Sequence, residues 1–325
     1  MSLQIIGPDV RIKVRNKLNK DGILYDLLKN KLLYLMVLPT VIYFILFSYL
    51  PLYGLTLAFK HYSPGKGIFN CPWAGLDNYK FLFNSVQSMF FIRAFKNSLI
   101  ISSLKLVVGF PVPIIIALLL NEIKAVRYKK LVQTTTFLPY FMSWVVVGSL
   151  VAAILSPSGG IVNGIISVLG YDPINFFADN TFFRWVLVFS DIWKGAGYNV
   201  IIYLAAISAI DPQIYTAAMV DGANRWHQIV YITLPGIART IAILLIISAG
   251  YIMYAGFEQV FVMYSPAVYD SADIIDTYIY RIGVSQGKFD IATSAALLQA
   301  GIGFILLMIF NKVAKKIGQG ETGLF

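Results

Sequence analysis

Charged side chains inside otherwise apolar runs are the residues of this sequence best placed to do chemistry. Lys105, Asp191, Lys194 and Glu258 interrupt or close long hydrophobic stretches, where an ionisable group is costly and by default marks a functional site. Asp191 and Lys194 are three residues apart, a spacing that places both on one helix face as a candidate ion pair. Mutual neutralisation, or a position near an interface, is the competing reading. Lys105 either snorkels or faces a polar cavity. Trp193, Tyr198, Asn199 and Tyr251 are candidates to line a solute pathway, because aromatic faces stack on sugar rings and polar tips offer hydrogen bonds. Packing and interfacial belts account for most of the other rings among 20 Tyr and 23 Phe.

Covalent catalysis finds no support in the residue inventory. The stretch nearest to a phosphate loop, "GVSQGKF" at Gly283–Phe289, is one residue short between its glycines. It also carries Phe289 where Ser or Thr should contact magnesium, so it reads as a loop turn. A single cysteine, Cys71, excludes an internal disulfide and a cysteine-based metal site. His61 and His227 lie far apart and join no acidic cluster with ligand spacing. No catalytic residue, metal site or cofactor of the chain's own is expected.

The elements that must carry these residues are membrane spans. Hydrophobic residues make up 58% of the 325 positions and charged residues 13%, against about 25% charged in a soluble domain. Six apolar runs can be read, at about Leu32–Phe59, Ser98–Leu120, Thr136–Leu155, Phe183–Ala206, Ile237–Phe257 and Ile291–Phe310. Each is near the length of a helix that crosses the hydrocarbon, and a helix satisfies its own backbone in lipid. The expected fold is all-α and polytopic, with about six transmembrane helices. A basic segment (1–31) precedes a six-span body (32–316), and a short tail (317–325) follows.

The net charge of +10 is distributed as a membrane protein requires. Arg11, Lys13, Arg15, Lys17, Lys20, Lys29 and Lys31 precede the first span, and further clusters occupy Lys124–Lys130 and Lys312–Lys316. These fall on one side of the bilayer, while no Lys or Arg occurs between Ser156 and Thr181 on the other. Positive charge gathers on the cytoplasmic side, so both termini are expected there, and the basic clusters suit anionic lipid. A nucleic-acid partner would need a soluble basic module, and none is visible. The outer loops mix turn residues with aromatics, as short interfacial helices would.

Between the fourth and fifth spans lies "AIDPQIYTAAMVDGANRWHQIVYITLPGI", too polar to cross a bilayer. Asp211 is a plausible N-cap with Pro212 in the first turn. Ile214, Ala217 and Ala218 then share a helix face, Gly222 interrupts, and Trp226, Ile229 and Val230 form a second amphipathic turn. The pattern predicts two short helices around a glycine elbow across 211–235. They form either a docking surface or a structural connector.

This stretch resembles the cytoplasmic coupling-loop motif of permease subunits in binding-protein-dependent ABC importers. That motif runs Glu-Ala-Ala, three residues, Gly, nine residues, Ile, one residue, Leu-Pro. Ala217, Ala218, Gly222, Ile232, Leu234 and Pro235 match it, and Asp221-Gly222-Ala223 is typical of the carbohydrate-uptake branch. Thr216 stands where Glu is usual, which removes any ion pair made there. "WAGLDNYKFLF", "WKGAGYNVIIYLAAISAIDP" and the segment from "YIYRIGVSQGKFD" onward extend the resemblance over nearly the whole chain, closest to oligosaccharide permeases of the lipoprotein-associated and alginate-importer kind.

The resemblance implies a type I ABC importer permease fold in the bacterial plasma (inner) membrane. It implies pairing with a second, different permease, two cytoplasmic ATPases that hold ATP and magnesium, and an extracellular or periplasmic solute-binding protein. Ala217, Ala218, Asp221, Gly222, Ala223 and Pro235 would form the ATPase-coupling elbow, and an oligosaccharide would be the solute. A permease for a non-sugar solute such as peptides or polyamines is the alternative. A stand-alone secondary transporter is disfavoured by the lack of paired inverted repeats and of a carboxylate relay.

Overall fold

The structure is a computed structural model that describes residues 30–317, with side chains to Lys312. The expected basic segment and short tail lie almost wholly outside the described residues. Helices account for the architecture, and among the described residues the one β-pairing is an isolated bridge between Lys60 and Trp73. Contacts divide the chain into two units, Met1–Thr56 and Leu57–Phe325. The described part of the first holds α1 (Lys31–Phe44), apolar on every face, with Pro39 inside it and a π-helical turn at Ile45–Tyr49 after it. Such a sequence suits a helix surrounded by lipid, where Pro is tolerated.

In the second unit, α2 (Asp77–Asn84) precedes the second span. That span joins α3 (Ser88–Leu104) to α4 (Pro111–Glu122) through a π-helical turn at Lys105–Gly109. The third span is broken where the sequence suggests one run from Thr136 to Leu155. Here α5 (Val126–Phe137) ends in a 3₁₀ corner at Leu138–Phe141, and α6 (Trp144–Leu155) leaves at 106°. Pro139 explains the break, since it has no N–H to give the helix. A short helix, α7 (Ile161–Val168), leads to α8 (Asn180–Ser208), which is 29 residues long.

Helix α9 (Pro212–Val220) and the single turn α10 (Arg225–Gln228) follow, then α11 (Ala238–Gly250), bent 59° from the segment before it. The fifth span is shorter than the run Ile237–Phe257 suggests. Its helix stops at Gly250, and Gly256 adopts φ +95°, a left-handed conformation that helices exclude. Glu258 therefore sits in the first turn of α12 (Phe257–Met263), outside the fifth span. Two short helices, α13 (Tyr269–Ala272) and α14 (Ile275–Tyr280), lead to α15 (Phe289–Ile317), which carries the sixth span. Among the described residues three helices are long and apolar enough to cross a membrane, and three bent pairs bring the number to six.

Helix α8 is the axis of the second unit. Phe183, Leu187, Ser190, Gly197, Val200 and Leu204 are buried along it, a stripe at the helical period. Its N-terminal half packs with Ile101, Ala255, Val260 and Met263, and its C-terminal half with Ala117, Leu120 and Ile237. Lipid tails are as apolar as these side chains, so association depends on close fit and small residues. Gly197 is such a position: a Cβ there would lie 2.3 Å from the Thr136 carbonyl oxygen. That approach seats the corner of the third span against α8.

Polar clamps hold the segments between the spans. Asn163 donates to the carbonyls of Leu155, Ser156 and Ile174 at 3.0–3.1 Å and accepts from Ile174 N–H at 2.7 Å. Buried Asp273 pairs with Arg281 at 2.6 Å. Arg184 spans from Ser271 O to Asn97 Oδ1 at 3.1 and 3.0 Å.

Candidate functional site

Two regions concentrate the unusual features: the elbow at residues 211–235 and a polar cavity beside the middle of α8. The elbow starts where Asp211 accepts the Gln213 N–H at 2.9 Å, with Pro212 as the first helical residue. Helix α9 ends in a double closure. The Ala223 N–H donates to Ala218 O at 2.8 Å and the Gly222 N–H to Met219 O at 3.2 Å, the Schellman pattern that requires a left-handed residue at the first position past the helix. Gly222 supplies it at φ +84°.

The chain restarts at once. Asn224 Oδ1 accepts the His227 N–H at 2.8 Å and caps α10, while Gln228 Nε2 reaches back to Ala223 O at 3.2 Å. Tyr215 OH meets Thr233 Oγ1 at 3.0 Å, tying α9 to the segment leading into α11. Pro235 lies in a short helical turn, Leu234–Gly236, just before the bend. Thr216 turns its hydroxyl onto its own helix, donating to Pro212 O at 3.2 Å. Ala217, Ala218, Asp221, Gly222 and Ala223 thus belong to one compact turn. It presents Val220 and Trp226 outward at 84% and 69% exposure, and no atom lies within 4 Å of where a Gly222 Cβ would stand.

The cavity has a volume of about 370 Å³, and its lining includes Ser102, Lys105, Asp191, Asn199, Tyr251 and Tyr254. Lys105 faces it and is fully engaged. Its ammonium pairs with Asp191 at 3.2 Å, donates to Ala255 O at 2.7 Å and bonds Gln259 Oε1. Gln259, wholly buried, in turn donates to Leu187 O and Ser190 Oγ at 2.7 and 2.8 Å. This network joins the second span, α8 and the approach to α12. The Asp191–Lys194 pair suggested by spacing does not form. Asp191 turns to Lys105, and Lys194 donates to Tyr140 O at 2.9 Å, over the rings of Tyr140 and Trp144. The spacing leaves both on adjoining parts of one face, but Asp191 is held by a lysine of the second span and Lys194 by a carbonyl at the corner of the third.

The pathway candidates separate into three settings. Asn199 and Tyr251 line the polar cavity. Tyr198 stacks on Tyr140 with ring centres 4.7 Å apart. Trp193 lines an apolar groove of about 690 Å³ together with Trp185 and Phe189. Gln259 escapes sequence reading, since nothing local marks a glutamine 154 residues away as the partner of Lys105.

Comparison with known proteins places this geometry. The profile of the family described as binding-protein-dependent transport system inner membrane component matches residues 109–317. The polygalacturonan/rhamnogalacturonan transport system permease protein YteP of Bacillus subtilis (strain 168) is 42% identical over 98% of both chains. Protein LplB of the same organism is 40% identical, covering 91% of this chain and 92% of its own. Among solved structures, a bacterial ABC transporter involved in import of the acidic polysaccharide alginate superposes with a TM-score of 0.82 at 44% identity, covering 90% of this chain and 98% of the other. The alginate transporter in complex with a periplasmic protein bound to alginate pentasaccharide gives 0.83 at 43% identity, over 93% and 99%.

Proposed function

Because the chain belongs to the family of binding-protein-dependent transport system inner membrane components, we propose that it is one transmembrane permease subunit of an ATP-driven oligosaccharide importer. It is a multi-pass membrane protein, and its α8 cavity forms its share of the translocation path. Its solute arrives on a solute-binding protein. A second, different permease completes the path, and two cytoplasmic subunits bind ATP with magnesium and hydrolyse it. This chain contributes no chemistry of its own; it converts their closure into a switch between inward-open and outward-open states.

The observation that carries the reading is the elbow. A capped helix, a left-handed glycine and a second capped turn form a preorganised surface, and preorganisation lowers the ordering cost of docking. Ala217, Ala218, Asp221, Gly222, Ala223 and Pro235 form the coupling element in this reading, and Asn199 and Tyr251 in the polar cavity serve the solute, with Trp193 and Tyr198 as further candidates in their separate settings. The relatives' printed solutes, polygalacturonan, rhamnogalacturonan and alginate, support a saccharide. Both termini and the elbow face the cytoplasm, following the placement of Lys and Arg.

Affinity purification of the chain from its native membrane, with partners identified by mass, tests the assembly. Recovery of a second permease, an ATPase and a solute-binding protein is the expected result. A chain that purifies alone and still carries solute without ATP would overturn it.

A further inference from the structure

Among the described residues six buried side-chain polar atoms have no hydrogen-bond partner, and three of them belong to residues that line a single cavity: Gln87 Oε1, Arg93 Nε and Tyr278 Oη. Buried polar atoms are normally satisfied, so three orphans on one cavity of about 190 Å³ mark it as a site for a polar partner. Tyr278 is only 2% exposed, and no described residue takes its hydroxyl. The cavity shares no lining residue with the one beside α8.

The walls set the chemistry of that partner. The guanidiniums of Arg93 and Arg281 line the cavity together with the rings of Phe90 and Tyr269. Asp270 pairs with Arg93 and Asp273 with Arg281, yet both carboxylates stand outside the lining. They anchor the two cations and leave Arg93 Nε unspent. Each guanidinium also lies over a ring, Arg93 at 5.3 Å from the centre of Phe90 and Arg281 at 5.0 Å from that of Tyr269, which further fixes its plane. Guanidinium N–H groups and a phenol together suit an oxyanion. Gln87 Oε1 is an acceptor, so the same partner must also donate, as a hydroxyl does.

Location selects among oxyanions. Gln87, Phe90 and Arg93 stand at the start of the Ser88–Glu122 span, and Arg281 opens the turn that leads towards the Phe289–Lys312 span. The ends of membrane-crossing helices lie at the depth of lipid phosphates, and basic pockets between such helices hold lipid head groups. Val86 and Met89, next to Gln87 and Phe90 in sequence, are exposed, as is Phe90 itself; they offer apolar surface to acyl chains.

We propose that this cavity binds the head group of a phospholipid whose phosphodiester carries a hydroxylated alcohol. The phosphate rests on Arg93, Arg281 and Tyr278, and a head-group hydroxyl donates to Gln87. The site is independent of what the protein carries. The test uses the full chain, purified in detergent, stripped of lipid and titrated with phosphatidylglycerol while its thermal midpoint is followed. A saturable rise is expected. Diacylglycerol, which keeps the tails, and inorganic phosphate, which keeps the anion, should give none at the same concentrations. Tyr278→Phe removes only the orphaned hydroxyl, so its lipid-free midpoint should equal or exceed that of the wild type. Its apparent affinity for phosphatidylglycerol should fall about tenfold, the value of one hydrogen bond to a charged group, and Arg93→Gln should weaken binding at least as much. The wild type should prefer phosphatidylglycerol to phosphatidylmethanol, which keeps the phosphodiester without free hydroxyls, and Gln87→Leu should lose that preference. The site is overturned if phosphatidylglycerol gives no saturable rise, if diacylglycerol matches it, or if the wild type shows no preference for the hydroxylated head group. An equal rise with inorganic phosphate would make this a free-anion site and remove the lipid. If Tyr278→Phe and Arg93→Gln both bind phosphatidylglycerol as the wild type does, the lipid sits elsewhere and the cavity holds only water.

Discussion

At the scale of single residues, conformation and contact can be separated at Gly222. Its φ of +84° taxes any side chain, yet open space surrounds the Cβ position. Alanine there should cost about 1 kcal/mol through the left-handed backbone, leaving the protein abundant and transport-competent. Leucine and asparagine separate the two causes, because asparagine tolerates the left-handed region. If the elbow fits closely into a partner, Gly222→Asn and Gly222→Leu should both reach the membrane normally and both lose most ATP-driven uptake. Normal uptake by either at wild-type abundance would show that the elbow does not need a bare backbone. Lys105 poses a different question. Lys105→Met strands the Asp191 carboxylate and Gln259 Oε1, so a loss on the order of 3 kcal/mol is expected, the low end for a broken buried pair since Asp191 opens to the cavity. A thermal-unfolding shift of the detergent-purified protein measures it, and Lys105→Met combined with Asp191→Asn should recover part of the loss.

At the scale of elements, the segment between α6 and α8 depends on one side chain. Asn163 holds α7 between the end of α6 and Ile174, its two amide hydrogens shared among three carbonyls and its oxygen accepting one N–H, the equivalent of about three hydrogen bonds. At roughly 0.5–1.5 kcal/mol each, Asn163→Ala should loosen this segment while leaving the spans intact. Faster cleavage within residues 156–176 by a protease on the outer side is the expected result, and unchanged protection would mean that packing alone suffices. The elements themselves were legible to different degrees. Asp211-Pro212 and Gly222 announced the start and end of α9 because capping chemistry is local. The corner at Leu138–Phe141 was hidden inside an apolar run, since hydropathy is blind to direction. Pro139 was its one local signal.

For the whole molecule, charge placement predicts which side each loop faces. Cys71 is buried and is the sole cysteine, so a Cys71→Ser background allows single reporters to be placed. Ser158→Cys should react with a membrane-impermeant maleimide on intact cells, and Arg225→Cys only after permeabilisation. The opposite pattern would invert the topology and remove the elbow from any cytoplasmic ATPase. The ion pair of Arg225 with Glu122, 3.6 Å long and open to solvent, contributes under about 1 kcal/mol, so Arg225 is a safe reporter position.

By itself the sequence determined that the chain crosses a membrane about six times, how its positive charge clusters along the chain, and where the elbow begins, turns and ends. Apolar length, charge placement and helix capping are properties of neighbouring residues, so they need no knowledge of the fold. Tertiary structure alone decided the partners of the intramembrane charges. Asp191 stands three residues from Lys194 yet pairs with Lys105, and Lys194 is left beside Tyr140 and Trp144. Those choices depend on which helices touch, and contact rests on close packing across distant segments, as at Gly197 against Thr136. Low-dielectric surroundings then make each pairing consequential, which is why the polar cavity and the Lys105–Asp191 pair within it emerge only when the helices are assembled.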